Sequence, residues 1–138
     1  MKLFEASGGY AAGEQRRDFV SVEDVAKINL HFLEGRDRSG IYNVGTGRAT
    51  SFNEVAAAVI NGCRAQAGEA ARSIAELVTD GAITYVPFPP DLVGKYQSFT
   101  QADVGRLRAA GYSAPMLGID EGVRRYAERL ITPSAPAS

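Results

Sequence analysis

Short extended segments alternate with amphipathic helical segments along this 138-residue chain, and this alternation restricts its fold more than any other feature of the sequence. Extended runs are predicted at residues 2–5, 18–22, 41–44 and 83–86, and helical patterns follow the last three of them. Strands that alternate with helices favour an α/β unit with some parallel pairing. The strands are few and short, so they make a thin sheet for a free-standing domain.

Three pairs of residues predict the starts of helices. In each pair a serine or threonine precedes an acidic residue by three positions, which is the spacing of a capping box. The pairs are Ser21 with Asp24, Ser51 with Glu54, and Thr100 with Asp103. A further short helix is predicted at 69–78, and a final one at 120–131 with Val123, Tyr126 and Leu130 facing the core.

The charge balance excludes one large class of protein. Lys and Arg total 15 and Asp and Glu total 16, which gives a net charge of −1. A protein that binds nucleic-acid phosphates needs a positive excess, so we expect no nucleic-acid partner. No apolar run approaches the roughly 18 residues that span a bilayer, and we expect no export signal at the start of the chain. The predicted location is the cytoplasm, without membrane contact.

The single cysteine and single histidine predict neither a disulfide nor a multi-cysteine zinc site, so no metal ligands are expected. Cys63 is interpreted as a small buried apolar group, and His31 as a structural residue on a helix surface or half-buried. We expect residues 1–131 to form a single α/β unit and residues 132–138 to form a flexible tail.

The turn Gly45-Thr46-Gly47, between a predicted strand and a predicted helix, matches part of a dinucleotide-binding loop. The full fingerprint has a third glycine, where Thr50 stands here, and an acidic residue about 20 positions further on at the end of a strand. Residues 65–71 instead have a helical pattern. We therefore interpret this segment as a tight turn. The sequence also has no Walker, Gly-x-Ser-x-Gly or Tyr-x-x-x-Lys signature, so no catalytic residues are predicted.

Two segments carry residues that are suited to ligand contacts. Arg16 and Arg17 stand where a Gly/Ala-rich loop enters a predicted strand, and the planar guanidinium fork can donate two hydrogen bonds to a diphosphate. Tyr96 lies in a second segment, which follows a Pro-rich loop and precedes a predicted helix cap. Either segment alone is equally compatible with a structural role, because many such arginines only bind a nearby carboxylate.

Five segments occur in a characteristic order. They are FEAS at 4–7, RDFVSVEDV at 17–25, YNVGTG at 42–47, PFP at 87–89 and GKYQSFTQAD at 94–103. In this order they resemble the C-terminal portion of the ADP-L-glycero-D-manno-heptose 6-epimerases, which are extended short-chain dehydrogenases/reductases. The arginine and glycine-turn segments are shared by many nucleotide-sugar epimerases and dehydratases, whereas the first and last are more particular to the heptose enzymes. The resemblance runs from Lys2 to about Leu130.

The resemblance implies an isomerase family that inverts C6 of an ADP-linked heptose for lipopolysaccharide biosynthesis, with NADP as the cofactor. It implies that Arg17 grips the diphosphate and that Tyr96 adds a polar contact. It also implies that the nucleotide side of the substrate is lined by four consecutive residues, namely Phe4, Glu5, Ala6 and Ser7. Ala6 stands where the family often has glycine, so its methyl group narrows the site.

The resemblance also sets the expected fold class. It implies an α/β, C-terminal substrate-binding portion of an extended short-chain dehydrogenase/reductase, with residues 41–44 as an edge strand of an otherwise missing Rossmann sheet. The family's cofactor loop and its catalytic tyrosine and lysine precede the segment present here. We therefore expect the chain alone to bind the ADP-sugar without holding a cofactor or performing catalysis, and to self-associate through exposed apolar surface.

Two alternative interpretations remain open from the sequence. The chain could be a non-catalytic nucleotide-binding or protein-interaction module. It could also be a fragment of another nucleotide-sugar epimerase or dehydratase, which would prefer UDP or GDP sugars to ADP sugars.

Overall fold

The computed structural model describes residues 1–35 and 39–131, so the predicted tail at 132–138 lies outside the described residues. In chain order the elements are β1 (Lys2–Phe4), β2 (Arg16–Arg17), α1 (Val22–Glu34), β3 (Thr50–Ser51), α2 (Phe52–Gln66), α3 (Ile74–Thr79), β4 (Thr84–Val86), a 3-10 turn (Pro90–Leu92), α4 (Gly105–Ala109) and α5 (Ile119–Ile131). The mixture of helices and strands agrees with the predicted α/β class.

The strands of the described residues form two separate pairs. β1 and β4 are parallel, with Lys2 opposite Thr84, which confirms the expected parallel pairing. β2 and β3 are antiparallel, with Arg16 opposite Ser51. Arg16 also forms an isolated parallel bridge to Phe99 on its other side. The chain thus brings residues 16 and 99 side by side. This contact places the segment that carries Tyr96 beside the strand that carries Arg17.

The strand predicted at 41–44 is absent, and that prediction was wrong. Ile41 is 83% exposed and Val44 is 37% exposed, and among the described residues no strand lies beside them. An isolated strand leaves its backbone groups without ladder partners, so it does not form alone. The edge strand of a Rossmann sheet is therefore not part of this structure. The run at 18–22 is not a strand either, since β2 ends at Arg17 and α1 begins at Val22.

The capping box predicted at the start of α2 is confirmed. The Ser51 hydroxyl accepts from the Glu54 backbone N–H at 3.2 Å, and the Glu54 carboxylate accepts from the Ser51 N–H at 2.7 Å. A second reciprocal box, between Ser73 and Glu76, starts α3. The helix predicted at 69–78 is therefore shorter than expected, because this box fixes its first turn at Ile74.

The capping box predicted at Ser21 does not form. Ser21 caps α1 by accepting from the Glu23 N–H at 3.2 Å. The Asp24 carboxylate, which was expected to reach back to Ser21, is fully buried and accepts from the Leu117 N–H at 2.7 Å. A distant backbone donor has replaced the local one, because this carboxylate holds the segment that leads into α5.

The third predicted capping box, Thr100 with Asp103, is also wrong. The Thr100 N–H donates to the Arg16 carbonyl at 3.1 Å, so residue 100 belongs to an extended segment rather than to a helix start. Asp103 instead accepts from the Gly105 N–H at 2.9 Å, and α4 begins only at Gly105. Pairing with β2 has therefore delayed the helix.

Two clusters of buried residues form the core of the described chain. The first, between the β1–β4 pair and helices α2 and α3, consists of Leu3, Ala56, Leu77 and Ile83, and the second consists of Ile28, Leu107 and Tyr112. Helix α5 contributes Ala127, which is 8% exposed, and a Cβ built on Gly62 of α2 would lie 4.0 Å from the Ala127 Cβ.

The orientation predicted for α5 was wrong for two residues. Tyr126 is 61% exposed and Leu130 is 69% exposed, although both were expected to face the core. Small residues at Gly62 and Ala127 let the backbones of α2 and α5 approach closely, and this approach turns the large side chains of α5 outward. Val123 remains half-buried and lines an apolar groove together with α1 and α2.

Candidate functional site

Three aromatic rings gather where the parallel strands β1 and β4 end. Phe4 ends β1, and Phe88 lies two residues beyond β4. Their ring centroids are 5.2 Å apart, and Tyr96 joins them at 6.1 Å from Phe4 and 5.4 Å from Phe88. All three contacts are edge-to-face, an arrangement in which each pair contributes about 0.5–1.5 kcal/mol beyond the burial of its area. The carboxyl ends of the strands thus carry an ordered aromatic cluster.

Arg17 lies over this cluster. Its Cζ is 4.9 Å from the centroid of the Tyr96 ring, and its Nη1 donates to the Arg16 carbonyl at 2.9 Å. Among the described residues no carboxylate forms an ion pair with Arg17. The neighbouring Arg16 differs, because it lies 3.7 Å from a Glu14 oxygen and 3.9 Å from a Glu54 oxygen. The two adjacent arginines therefore differ: carboxylates within the fold pair with Arg16, whereas none among the described residues pairs with Arg17.

Glu5, the first predicted site residue after Phe4, is held by its backbone. Its N–H donates to the Val86 carbonyl at 2.9 Å, and its carbonyl accepts from the Gln15 side chain at 3.1 Å. Gln15 is 1% exposed, so this bond fixes the loop from within. The Glu5 side chain itself is exposed.

Ala6 and Ser7 continue the loop beside the aromatic cluster. Ala6 is exposed, and Ser7 exchanges two backbone hydrogen bonds with Tyr10, each 3.1 Å long. Gly8 has a φ of +60°, and a Cβ at this position would collide with the Ser98 side chain. The loop therefore approaches the segment that carries Tyr96, and only glycine allows this approach.

The Asp18 carboxylate connects three parts of the chain next to Arg17. Its Oδ1 accepts from the N–H of Thr46 at 2.8 Å and from the Thr46 hydroxyl at 2.6 Å. Its Oδ2 accepts from the N–H of Gly47 at 2.9 Å and of Ala102 at 3.1 Å. Partial burial by itself raises the pKa of Asp18, but the bonds from Thr46, Ala102 and Gly47 together hold it below its ordinary value.

This arrangement accounts for the glycine-rich turn. The backbone N–H groups of Thr46 and Gly47 point to Asp18, so they do not form a cradle for a phosphate. A Cβ on Gly45 would lie 2.6 Å from Asp18 Oδ2 and 2.6 Å from the Ala102 Cβ, which leaves no room for a side chain. The structure thus agrees with the interpretation of this segment as a turn and gives it a specific partner.

The structure brings Phe4, Arg17 and Tyr96 into one contact group, with residues 5–7 on the adjoining loop. Sequence reasoning did not single out Phe88, the third ring of this group, or Asp18, which follows Arg17 and binds Thr46, Gly47 and Ala102. For Phe88 the available signal was its position just after a strand that pairs with β1. For Asp18 no local signal existed, because its partners are far away in the sequence.

The remaining candidates from the sequence lie elsewhere. Cys63 is exposed, so its predicted burial was wrong. His31 is half-buried, and its ring lies 5.2 Å from Phe32 and 5.4 Å from Tyr112, as expected of a structural residue. Within residues 1–35 and 39–131, no group of three or more His, Cys, Asp or Glu side chains could hold a metal ion. No helix in these ranges is long and apolar enough to cross a membrane.

Part of the chain is similar to a known family of enzymes. Residues 6–45 match the model of the NAD dependent epimerase/dehydratase family. The matched range includes Arg17 and Asp18 and ends at Gly45, before the segment that carries Tyr96. This part of the chain is therefore similar to the wider group of NAD-dependent sugar epimerases and dehydratases.

A solved structure extends the similarity to most of the chain. It is that of TunA, described as a novel NAD dependent-NDP-hexosamine 5,6-dehydratase involved in tunicamycin biosynthesis. The two proteins share 27% sequence identity with a TM-score of 0.53, over 90% of this chain and 34% of that chain. This chain therefore spans about a third of the length of TunA. The similarity supports the same broad group of enzymes and does not single out the heptose epimerases.

Proposed function

We propose that this chain binds a nucleoside-diphosphate sugar and is the substrate-binding portion of an NAD(P)-dependent nucleotide-sugar epimerase or dehydratase. The observation that carries this proposal is the position of Arg17. Its guanidinium is held over the Tyr96 ring, with no carboxylate partner among the described residues. One N–H of this guanidinium donates to the Arg16 carbonyl. The remaining N–H donors are available, and guanidinium donors bind the oxygens of a diphosphate bidentately.

The surroundings of Arg17 suit the rest of such a ligand. The rings of Phe4, Phe88 and Tyr96 give an apolar surface next to the cation, and a nucleoside can pack against such a surface. Glu5 places an exposed carboxylate on the adjoining loop, where it can accept hydrogen bonds from sugar hydroxyls. In this proposal residues 4–7 line the nucleotide side, Arg17 binds the diphosphate and the Tyr96 hydroxyl adds a polar contact.

For the substrate we propose an ADP-linked heptose, with the complete enzyme acting as an NADP-dependent 6-epimerase of lipopolysaccharide biosynthesis. The support is the pair of segments at 4–7 and 94–103, which resemble those of the heptose epimerases. The chain alone is proposed to be inactive, because it has no Tyr-x-x-x-Lys signature. The similarity to an NDP-hexosamine dehydratase favours an alternative, in which the chain is part of another nucleotide-sugar epimerase or dehydratase. The nucleotide that the chain prefers, ADP or else UDP or GDP, distinguishes the two.

A second candidate function is an interaction module without catalysis. It is favoured by large apolar side chains that are exposed on α1 and α5, namely Val22, Leu30, Leu33, Tyr126 and Leu130. In this case the chain pairs with a protein partner through that surface. Addition of a full-length epimerase, or of its cofactor-binding half, distinguishes the two functions: co-purification with regained turnover supports the enzyme portion, and co-purification without turnover supports the interaction module.

Calorimetric titration of the purified chain with ADP, UDP, GDP and NADP tests the proposed function. We expect ADP to bind with a Kd between about 1 μM and a few mM, more tightly than UDP or GDP. NADP contains an ADP-like moiety, so we expect it to bind no more tightly than ADP. Arg17→Ala should abolish most of this affinity. Arg106→Ala is the matched control, because Arg106 also lies over a tyrosine ring outside the proposed site, with its Cζ 5.8 Å from the centroid of the Tyr42 ring. A folded chain that gives no heat with any nucleotide contradicts the proposal.

A further inference from the structure

We infer that Asp18 is a positioning residue for the site: its carboxylate locks the segment that carries Tyr96 against the strand that carries Arg17. This inference rests on the proposed function of the Arg17–Tyr96 pair. No contact of Asp18 with a ligand is required, because the carboxylate acts through the backbone of both segments.

The two segments pair through their backbones beside Arg16. The Arg16 N–H donates to the Ser98 carbonyl at 2.9 Å, and the Thr100 N–H donates to the Arg16 carbonyl at 3.1 Å. Two residues further along, the Ala102 N–H donates to Asp18 Oδ2 at 3.1 Å. The carboxylate thus supplies the next acceptor at the point where the parallel backbone pairing ends. Without it, the pairing rests on Arg16 alone.

The glycine turn anchors Asp18 itself. Three bonds from Thr46 and Gly47 fix the carboxylate to the glycine turn. The Gln101 side chain donates to the Gly47 carbonyl at 2.6 Å, so the same turn also holds the segment at 98–102 directly. The turn, the strand and the segment therefore form one hydrogen-bonded unit, with Asp18 at its centre.

This unit determines where Arg17 and Tyr96 lie relative to each other. Arg17 immediately precedes Asp18, and Tyr96 lies two residues before Ser98. A shift of the 98–102 segment relative to β2 changes the distance between the guanidinium and the ring, which is 4.9 Å in this structure. Each Asp18 carboxylate oxygen accepts two hydrogen bonds, so all four acceptor positions of the carboxylate are occupied. Asp18 therefore holds the structure in place and is not positioned to transfer a proton.

The direct test is an NMR measurement that needs no ligand. Side-chain protons of Arg17 that lie over the Tyr96 ring carry an upfield ring-current shift. An amide cannot accept all four bonds, so we expect Asp18→Asn to reduce this shift by more than half. The core methyl signals of Leu77 and Ile83 should stay in place, which shows that the variant is folded. The matched control is Asp103→Asn, which alters a carboxylate that accepts from the Gly105 N–H and should leave the Arg17 shift unchanged.

A double-mutant cycle by ADP titration tests the functional consequence. We expect Asp18→Asn to weaken ADP binding by about tenfold. In an Arg17→Ala background the same change should weaken binding by only about threefold or less, since the part of its effect that acts through Arg17 is absent and only the part that acts through Tyr96 remains. If Asp18→Asn does not fold, Thr46→Val, which removes the hydroxyl bond to Asp18 and the contacts of that hydroxyl with the Arg48 backbone, should give a smaller loss of the same kind.

The two tests separate failure of this inference from failure of the proposed function. An unchanged Arg17 ring-current shift in Asp18→Asn, or a tenfold loss that persists in the Arg17→Ala background, overturns the positioning role even if the wild-type chain binds ADP. Absence of nucleotide binding by the wild-type chain overturns the proposed function, and the NMR measurement still decides whether Asp18 sets the Arg17–Tyr96 contact.

Discussion

The guanidinium carbon of Arg17 lies 4.9 Å from the centroid of the Tyr96 ring, although the two residues are far apart in the sequence. A cation over an aromatic face is attracted by the ring quadrupole, by about 0.5–1 kcal/mol at an exposed site. This contact orients the guanidinium before any ligand arrives, so less side-chain freedom is lost on binding. The pair is therefore the centre of the proposed nucleotide site.

Replacement of Arg17 tests whether its geometry or only its charge matters. Arg17→Lys keeps the charge but loses the planar fork, so ADP affinity should fall to a value between those of the wild type and Arg17→Ala. The alanine variant should lose about 1.5–3 kcal/mol of binding free energy. Calorimetry measures both, and urea unfolding should show a loss of no more than about 1 kcal/mol in stability, which is the size of the contact with the Tyr96 ring. An alanine variant that melts while its affinity is retained makes Arg17 a structural residue.

Tyr96 offers a separate test of its hydroxyl and its ring. Tyr96→Phe retains the ring under Arg17 and loses one hydrogen-bonding group, so ADP binding should weaken by about 0.5–1.5 kcal/mol. Tyr96→Ala removes both and should weaken binding further. Equal affinities of the wild type and Tyr96→Phe, measured by the same titration, would retire the polar contact assigned to the hydroxyl and leave only the ring.

Gly45 should not accept a side chain. A Cβ at this position would lie 2.6 Å from both Asp18 Oδ2 and the Ala102 Cβ, so Gly45→Ala has to displace the carboxylate or the segment beside it. We expect a loss of about 1–3 kcal/mol in the free energy of unfolding, measured with urea. Gly118→Ala is the control, because nothing lies within 4 Å of a Cβ built there. Equal stability of the two variants contradicts the close approach described at Gly45.

The lowered pKa of Asp18 predicts how stability depends on pH. The folded chain holds this carboxyl below its ordinary value of 3.8, so the unfolded chain binds the proton more readily. The stabilisation is therefore fully present above about pH 4 and is lost as the pH falls through the lower folded value. Urea midpoints measured from about pH 6 down to about pH 2.5 should fall less steeply for Asp18→Asn than for the wild type. The pKa of Glu54 is also lowered, mainly by the bond from the Ser51 N–H. Glu54 is present in both proteins, so the difference between their pH profiles reports on Asp18. Parallel pH profiles would contradict the role of these bonds.

The exposed apolar surface predicts self-association. Val22, at 70% exposure, and Tyr126, at 61%, both line an apolar groove of about 330 Å³ between α1, α2 and α5. Light scattering at micromolar concentration should give a mass above the 14.7 kDa of one chain. Tyr126→Lys should lower that mass, whereas Val93→Lys, a change at another exposed apolar residue, should not. A monomer mass for the wild type contradicts this prediction.

The sequence by itself determined the elements that depend on near neighbours. Ser51 and Glu54 are three residues apart, so the start of α2 could be read directly from the chain. The strand run at 83–86 and the helix at 120–131 were also found within one residue of their observed bounds. The resemblance in short motifs selected Phe4, Arg17 and Tyr96, and the structure brings these three into contact.

Only the tertiary structure decided the features that depend on a distant partner. Asp24 has the spacing of a capping residue, but the Leu117 N–H takes its carboxylate. Residues 41–44 have the composition of a strand, but no strand lies beside them within the described ranges. Asp18 became the centre of the hydrogen-bonded unit beside the proposed site only when Thr46 and Ala102 came together around it. The Ser51–Glu54 box is settled within one turn of helix. Strand pairing and buried carboxylates take whichever partner the fold brings closest, and the order of residues does not specify that partner.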